Sequence, residues 1–221
     1  MFNFVQFVQD FCIFVVEWSF DVDFMVRINI HTHRPTADET TIVTTGIHPW
    51  NAATIGERAM LAMAESAESA DAVGETGLDY ACEVDREVQE SLFRYQLAIA
   101  ERLRKPVVLH CVKAFEPMMN ILDEYELPAV IFHGFIGSAE QALRAVRAGY
   151  YLSFGHRTFA SPKTIEALRQ IPQNRLFVET DDYDVSIGEI YERVAELLGV
   201  ELESLETVIE KNFENIFGCN C

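Results

Sequence analysis

Two histidines, His31 and His33, close the apolar run Ile28-Asn-Ile30 and are separated by a single residue. Side chains of a β-strand alternate between its two faces, so a strand here would point both imidazoles to the same side. Two neutral imidazoles side by side can bind a divalent metal. Taken alone, such a pair is more often two polar residues at a strand exit, so its interpretation depends on the rest of the chain.

Residues of metal-binding type also follow other apolar runs. They are Glu75, His110, His133 and Asp181, with His48 just past Gly46. Imidazoles and carboxylates with few thiolates are typical donors for zinc or another first-row metal. Any one of these residues is readily explained as a hydrogen-bonded structural group. Their repeated placement at the ends of apolar runs predicts that they meet at one site.

From residue 26 onward, short apolar runs alternate with amphipathic segments. Runs rich in Val, Ile, Phe and Tyr predict strands at residues 27–31, 41–46, 72–75, 106–110, 129–133, 150–154 and 176–180. Helical patterns cover about 52–69, 84–104, 114–125, 139–148, 162–170, 187–198 and 203–217. Ser138 and Gln141 form a capping-box pattern, Ser161-Pro162 is a helix start, and Gly199 is a helix stop.

Alternating strands and helices predict parallel strands joined by right-handed crossovers, which close naturally into a TIM-like (β/α) barrel. About seven strands are recognisable, so we expect an α/β barrel that is shortened or distorted. Chemistry in such barrels lies at the carboxyl ends of the strands. We predict a single barrel over residues 26–221, preceded by an extension, residues 1–25, whose role the sequence leaves open.

Composition narrows the class of protein. The chain has 221 residues, 49% of them apolar, and 17 basic against 35 acidic residues give a net charge of −18. This charge argues against non-specific binding of polyanions but is compatible with a small basic patch. The five cysteines are scattered and odd in number, which favours a reducing cytoplasm over a disulfide framework. We expect a cytoplasmic protein without a membrane span and without an obligate protein partner.

Several motifs, taken together and in order, resemble the TatD family of metal-dependent hydrolases, within the amidohydrolase-like barrels. They are His31-Thr-His33, Gly46-Ile-His-Pro49, Gly74-Glu-Thr-Gly-Leu-Asp79, Pro106-Val-Val-Leu-His110, His133-Gly-Phe-Ile-Gly137, Tyr151-Leu-Ser-Phe154, Glu179-Thr-Asp181 and Asn212-Phe-Glu-Asn-Ile-Phe217. The resemblance spans about residues 27–218. It implies hydrolysis of phosphodiester bonds, typically in DNA, with two divalent metal ions such as Zn, Mn or Mg.

The resemblance also implies roles for individual residues. His31 and His33 would bind one metal, His110 and His133 the second, and Glu75 would bridge the two. Asp181 would bind the first metal and accept the proton of the attacking water, so Asp181 and Glu75 are the predicted catalytic residues. Two cations lower the pKa of a water near neutral pH and offset the charge that develops on a phosphate.

The chain departs from the family pattern in three places. His33 and Gly46 are too close for a helix-strand-helix unit, so one barrel strand and its helices are expected to be missing, unless residues 1–25 substitute for them. Cys111-Val-Lys113 stands where the family usually has a Ser-Arg-Asp-like run, and Asp182-Tyr-Asp184 stands where it usually has a nearby proline. These changes predict differences in substrate positioning more than in metal binding.

His48, Lys113 and Arg157 are weaker candidates for substrate contacts, since a phosphate needs positive charge near it. Each is also readily explained as a loop residue or a solvated base. Trp50 could equally cover the edge of the core or stack on a base.

Three functions remain open: a TatD-like phosphodiesterase or deoxyribonuclease acting on DNA or a small phosphodiester, a related hydrolase of a small amide, lactone or phosphate ester, and a metal-binding barrel that has lost catalysis. The strongly negative net charge favours the hydrolase of a small substrate to some degree.

Overall fold

In the part of the chain that the structure describes, eight parallel strands surround the centre of the molecule. The computed structural model describes residues 26–218, so the predictions for residues 1–25 and for the last three residues lie outside it. The strands are β1 Arg27–Ile28, β2 Glu39–Thr40, β3 Thr44–Thr45, β4 Ala72–Asp79, β5 Val107–Val112, β6 Val130–Phe132, β7 Tyr151–Phe154 and β8 Leu176–Val178.

Among residues 26–218, seven α-helices lie between or after the strands from β3 onward. They are α1 Glu57–Ser66, α2 Arg86–Leu103, α3 Phe115–Leu122, α4 Ala139–Arg147, α5 Pro162–Gln170, α6 Ile187–Leu198 and α7 Leu202–Phe217. The helices α5 and α6 have the predicted bounds. Helix α1 begins five residues later than predicted, because a 3₁₀ turn at Pro49–Asn51 and a short loop come first. None of the helices in the described part of the chain has the length and apolar content that crossing a bilayer requires.

The strands are arranged in chain order around the molecule. Strands β3 to β8 form one parallel sheet, and β1 pairs in parallel with β2. The residues after β1 join the two sets, since Ile30 N donates to Val178 O at 3.2 Å and His33 N donates to Asp181 O at 2.9 Å. Within residues 26–218, no ladder pairs β2 with β3. The fold is therefore a TIM-like α/β barrel with an interrupted ladder.

The segment between His33 and Gly46 contains a strand that was not predicted. Strand β2 is only two residues long, and the predicted strand over 41–46 shortens to β3. Among the described residues, no helix lies between β1 and β2 or between β2 and β3. The prediction that this stretch is too short for helices is confirmed, whereas the predicted loss of a strand is wrong, because two residues suffice to pair with β1.

Local signals act as expected at two helix ends. Ser138 accepts from the backbone N of Gln141, whose side chain accepts from the backbone N of Ser138, and this capping box starts α4. Gly199 ends α6 with φ 65°, a left-handed conformation that glycine adopts without steric cost. The core between the sheet and the helices includes the fully buried side chains of Phe93, Leu109 and Phe177.

Candidate metal centre

The first and last strands bring His31 and His33 beside Asp181. Asp181 N donates to His31 O at 3.1 Å, and the side-chain amide of Asn29 binds Thr180 through that residue's backbone N and hydroxyl. The two imidazole rings lie 5.0 Å apart, so both side chains are on the same face. Oδ1 of Asp181 lies 3.8 Å from Nε2 of His31 and 3.6 Å from Nε2 of His33.

Glu75 projects from an irregular point in β4. Val73 pairs with Val107 of β5, and Thr76 pairs with Leu109. Between these two pairs the chain advances three residues along β4 but only two along β5, so β4 holds one extra residue there. Such a bulge redirects a side chain, and bulges are common beside active sites. Oε2 of Glu75 faces the first strand, at 3.5 Å from Nε2 of His31 and 3.7 Å from Nε2 of His33.

The other carboxylate oxygen of Glu75 faces the next two strands. Oε1 lies 2.7 Å from Nδ1 of His110, within β5, and 2.7 Å from Nε2 of His133, just after β6. Behind these rings lie two further carboxylates. Asp79 Oδ2 is 3.3 Å from Nε2 of His110, and Glu179 Oε1 is 3.3 Å from Nδ1 of His133. Glu75 therefore lies between two sets of imidazoles, with one oxygen toward each.

The imidazoles control the charge of the buried carboxylates. Burial alone would raise the pKa of Glu75, but hydrogen bonds from His110 and His133, with His31 and His48 close by, outweigh it and hold the pKa far below its usual value. Glu75 is therefore a carboxylate, as a metal ligand must be.

The pKa values of Asp181 and Glu179 are shifted in opposite directions, although burial acts to raise both. Burial and the negative charge of Glu179 raise the pKa of Asp181, even though His133 and His31 act to lower it. Burial also disfavours the charged form of Glu179, but the contact with His133 lowers its pKa below the usual value. The pKa of Asp181 is therefore raised, whereas that of Glu179 is lowered.

The arrangement fits divalent cations. Nε2 of His31 is buried and has no hydrogen-bond partner among the described residues, which leaves a nitrogen available to a ligand. Two atoms that each lie about 2.0–2.1 Å from one zinc ion are separated by roughly 3–3.5 Å. The distances from Glu75 Oε2 and Asp181 Oδ1 to the nitrogens of His31 and His33, between 3.5 and 3.8 Å, are slightly longer than this separation. Within the described ranges, four overlapping groups of His, Asp and Glu have ligand atoms that lie within 4.8 Å of one another.

The weaker candidates lie around the opening of the site. A cavity of about 560 Å³ is lined by His48, Arg157 and Trp50 as well as by Glu75 and most of the other candidate ligands. Nε2 of His48 is 3.4 Å from Glu75 Oε1, while its Nδ1 accepts from the backbone N of Trp50. Lys113 lines a neighbouring cavity. Trp50 is 59% exposed, so it does not cover the core.

Sequence reasoning assigned no role to four residues that hold the site in place. Asp79 contacts His110 and accepts from Nε1 of Trp50 at 2.7 Å, and Glu179 contacts His133. Two buried amides on α2 fix strand ends, because Gln89 hydrogen-bonds the backbone N and O of Asp79 and Gln96 those of Ile47. The available signal was the spacing of Gln89 and Gln96, seven residues apart on the apolar face of an amphipathic helix.

A parallel barrel that carries a carboxylate between two sets of imidazoles at its strand ends defines the class of metal-dependent hydrolase barrels. The family model described as TatD related DNase matches residues 27–218. The chain belongs to this family and is a metal-dependent hydrolase.

Individual proteins are similar to this chain in sequence or in fold. The metal-dependent hydrolase YabD of Bacillus subtilis is 31% identical over 195 residues, covering 79% of this chain and 76% of the relative. The 3'-5' ssDNA/RNA exonuclease TatD of Shigella flexneri is 30% identical over 203 residues, covering 79% and 77%. The crystal structure of YJJV, a TatD homologue from Escherichia coli, superposes with a TM-score of 0.79 at 22% identity, covering 88% of this chain and 99% of that one.

Proposed function

We propose that this chain hydrolyses phosphodiester bonds, with DNA as substrate, at a centre that holds two divalent cations. The observation that carries the proposal is the position of Glu75, whose Oε1 contacts His110 and His133 while Oε2 faces His31 and His33. Support comes from the relative described as a 3'-5' ssDNA/RNA exonuclease. The match to the family model over residues 27–218 supports one barrel over residues 26–221.

The residues divide into two sets of ligands. His31, His33 and Asp181 would hold one cation, His110 and His133 the other, and Glu75 would contribute one oxygen to each. Imidazole and carboxylate donors suit Zn, Mn or Mg. Of these three metals, Zn has the strongest preference for imidazole and Mg the weakest. When bound, the cations supply Lewis acidity that activates a water and offsets the negative charge of a phosphate in the transition state.

Asp181 and the basic residues act directly on substrate and water. The Asp181 carboxylate, at the strand end and facing the cavity, accepts the proton of the attacking water. Arg157 and His48, which line the same cavity, are placed to contact the phosphate, and Lys113 lies beside them in the adjoining cavity.

A substrate panel tests the proposal. Protein stripped with a chelator and reloaded with Mg, Mn or Zn is given a single-stranded oligonucleotide, bis(p-nitrophenyl) phosphate, p-nitrophenyl phosphate, a lactone and an aryl amide. We expect metal-dependent cleavage of the first two, which Glu75→Gln removes and the exposed-residue control Lys211→Gln retains. Cleavage of the lactone or amide alone would overturn the phosphodiesterase assignment.

A related hydrolase of a small ester or amide is the second candidate. The observation that favours it is the net charge of −18, which repels a polyanion at long range. Turnover of p-nitrophenyl phosphate or the lactone far above that of the oligonucleotide would support it. Metal binding without turnover of any substrate would identify a barrel that has lost catalysis.

A further inference from the structure

A second cavity opens beside the proposed metal centre. Its volume is about 420 Å³, and it shares five lining residues with the cavity over Glu75: Cys111, Val112, His133, Gly134 and Arg157. The two cavities are therefore adjoining parts of one cleft. A substrate whose phosphate lies against the metal centre would extend into the second cavity, which we call the side cleft.

The side cleft carries an excess of positive charge in an acidic protein. Lys113, Arg157 and Lys163 line it, and all three are exposed. None of the three has an ion-pair partner within residues 26–218. The acid that lines the cleft, Glu116, is already paired with Arg144. Three cations thus face one cleft without a free carboxylate to neutralise them, although acids outnumber bases by 35 to 17 in the chain.

The wall of the side cleft is apolar. Phe115, Phe132 and Phe135 line it together with Ile136, which is 38% exposed. The three phenylalanines are buried behind this surface, so Ile136 is the apolar side chain that a ligand would touch. Apolar surface next to cations suits a single-stranded nucleic acid, because the base makes an apolar contact while the backbone is neutralised. A small phosphate ester bound at the metal centre would leave this surface uncovered.

We propose that the side cleft is an anion-binding subsite for the nucleotide next to the scissile bond. Lys113 and Lys163 bind its phosphate, Arg157 lies between this subsite and the metal centre, and the base lies against the apolar wall. The inference rests on the proposed phosphodiesterase function and deepens it, since it requires a strand that carries a second phosphate next to the scissile one. A protein of charge −18 repels a polyanion overall, so binding a strand requires a local group of cations such as this one.

Binding can be measured without catalysis. A fluorescein-labelled phosphorothioate tetrathymidylate, which resists hydrolysis, is titrated with the full chain in the presence of Mn²⁺ at several KCl concentrations. Each phosphate contact contributes about −0.7 to the slope of log affinity against log salt for a single strand. We expect Lys163→Gln to weaken binding about threefold to tenfold at low salt and to reduce the slope by about 0.7. Lys211→Gln, on the exposed surface of α7, keeps both values.

Hydrolysis gives a second readout. Lys163→Gln is compared with the wild type on a tetranucleotide and on the p-nitrophenyl ester of thymidine monophosphate, which has no neighbouring nucleotide. We expect a larger loss of kcat/KM for the tetranucleotide than for the ester. An unchanged salt slope, or equal losses on both substrates, overturns the subsite while leaving the phosphodiesterase in place. If neither substrate is hydrolysed, the phosphodiesterase proposal fails, and the binding slope still decides the subsite.

Discussion

Asp79 and His110 are joined by a 3.3 Å contact between Oδ2 and Nε2, which leaves Nδ1 of the ring facing Glu75 at 2.7 Å. Trp50 donates its indole N–H to the same oxygen of Asp79 at 2.7 Å. A carboxylate behind a histidine orients the ring and sets which nitrogen carries the proton. If a cation is bound, Nε2–H directed at Asp79 would leave the lone pair of His110 Nδ1 for the metal.

Asp79→Asn tests this relationship. The variant keeps the shape of the side chain but weakens acceptance from His110, so we expect the affinity for the second cation to fall about 10- to 100-fold. Calorimetric titration of the stripped protein with Mn²⁺ measures it. Trp50→Phe keeps the ring but removes the indole N–H, and a smaller loss is expected. Equal Mn²⁺ affinity in Asp79→Asn and the wild type would contradict the positioning role.

The cation content itself is the next prediction. We expect about two divalent ions per chain, because two sets of imidazoles share one carboxylate. Elemental analysis after reloading with Mn or Zn and desalting measures the ratio. Metal binding should also raise Tm relative to the chelated protein, since a ligand at about 100 times its Kd adds about 2.7 kcal/mol of stability. Trace metal after reloading would exclude the site.

Glu75→Gln separates bridging from packing. The amide keeps the volume of the side chain but loses the negative charge that two cations share. We therefore expect the number of bound ions to fall toward one per chain and activity to be lost. The circular dichroism spectrum should stay that of the wild type. Normal turnover with two ions per chain would rule out bridging by this residue.

Asp181→Asn tests proton transfer. Asparagine keeps an oxygen that faces the centre but cannot accept the proton, and loss of a general base costs about 10²–10⁴ in rate. We expect kcat for a phosphodiester to fall by this order while KM and Tm change little. Asp182→Asn is the matched control, because Asp182 is exposed and alternate positions face different ways. If Asp182→Asn abolishes activity and Asp181→Asn does not, the family motif has been assigned one residue too early in this chain.

Gly77→Ala should destabilise the barrel. A Cβ at Gly77 would lie 2.1 Å from the backbone O of His110, and φ is 143°. We expect a loss of about 3 kcal/mol from overpacking and backbone strain. Gly149→Ala isolates the backbone contribution, since φ there is 91° but the space is open, and about 1 kcal/mol is expected. Urea denaturation of both variants measures the difference, and equal losses would show that the close approach to His110 is unimportant.

Local patterns in the sequence were sufficient to predict most helices and the barrel class. Helices α5 and α6 match their predicted bounds, and the capping box at Ser138 is present. Period-two alternation also predicts that His31 and His33 share a face, which the structure confirms with rings 5.0 Å apart. These features depend on residues within a few positions of one another. The assignment of six metal ligands rests on motifs and stays a prediction.

Contacts between distant segments were decided only by the tertiary structure. Gln96 holds Ile47 across 49 positions, and Asp79 reaches His110 across 31. The pairing of β2 with β1 takes only two residues, too few for a periodic signal. The side cleft likewise depends on Lys113, Arg157 and Lys163 meeting from three separate segments. Periodicity determines which face of an element a side chain occupies, but its partner depends on how the strands and helices pack in three dimensions.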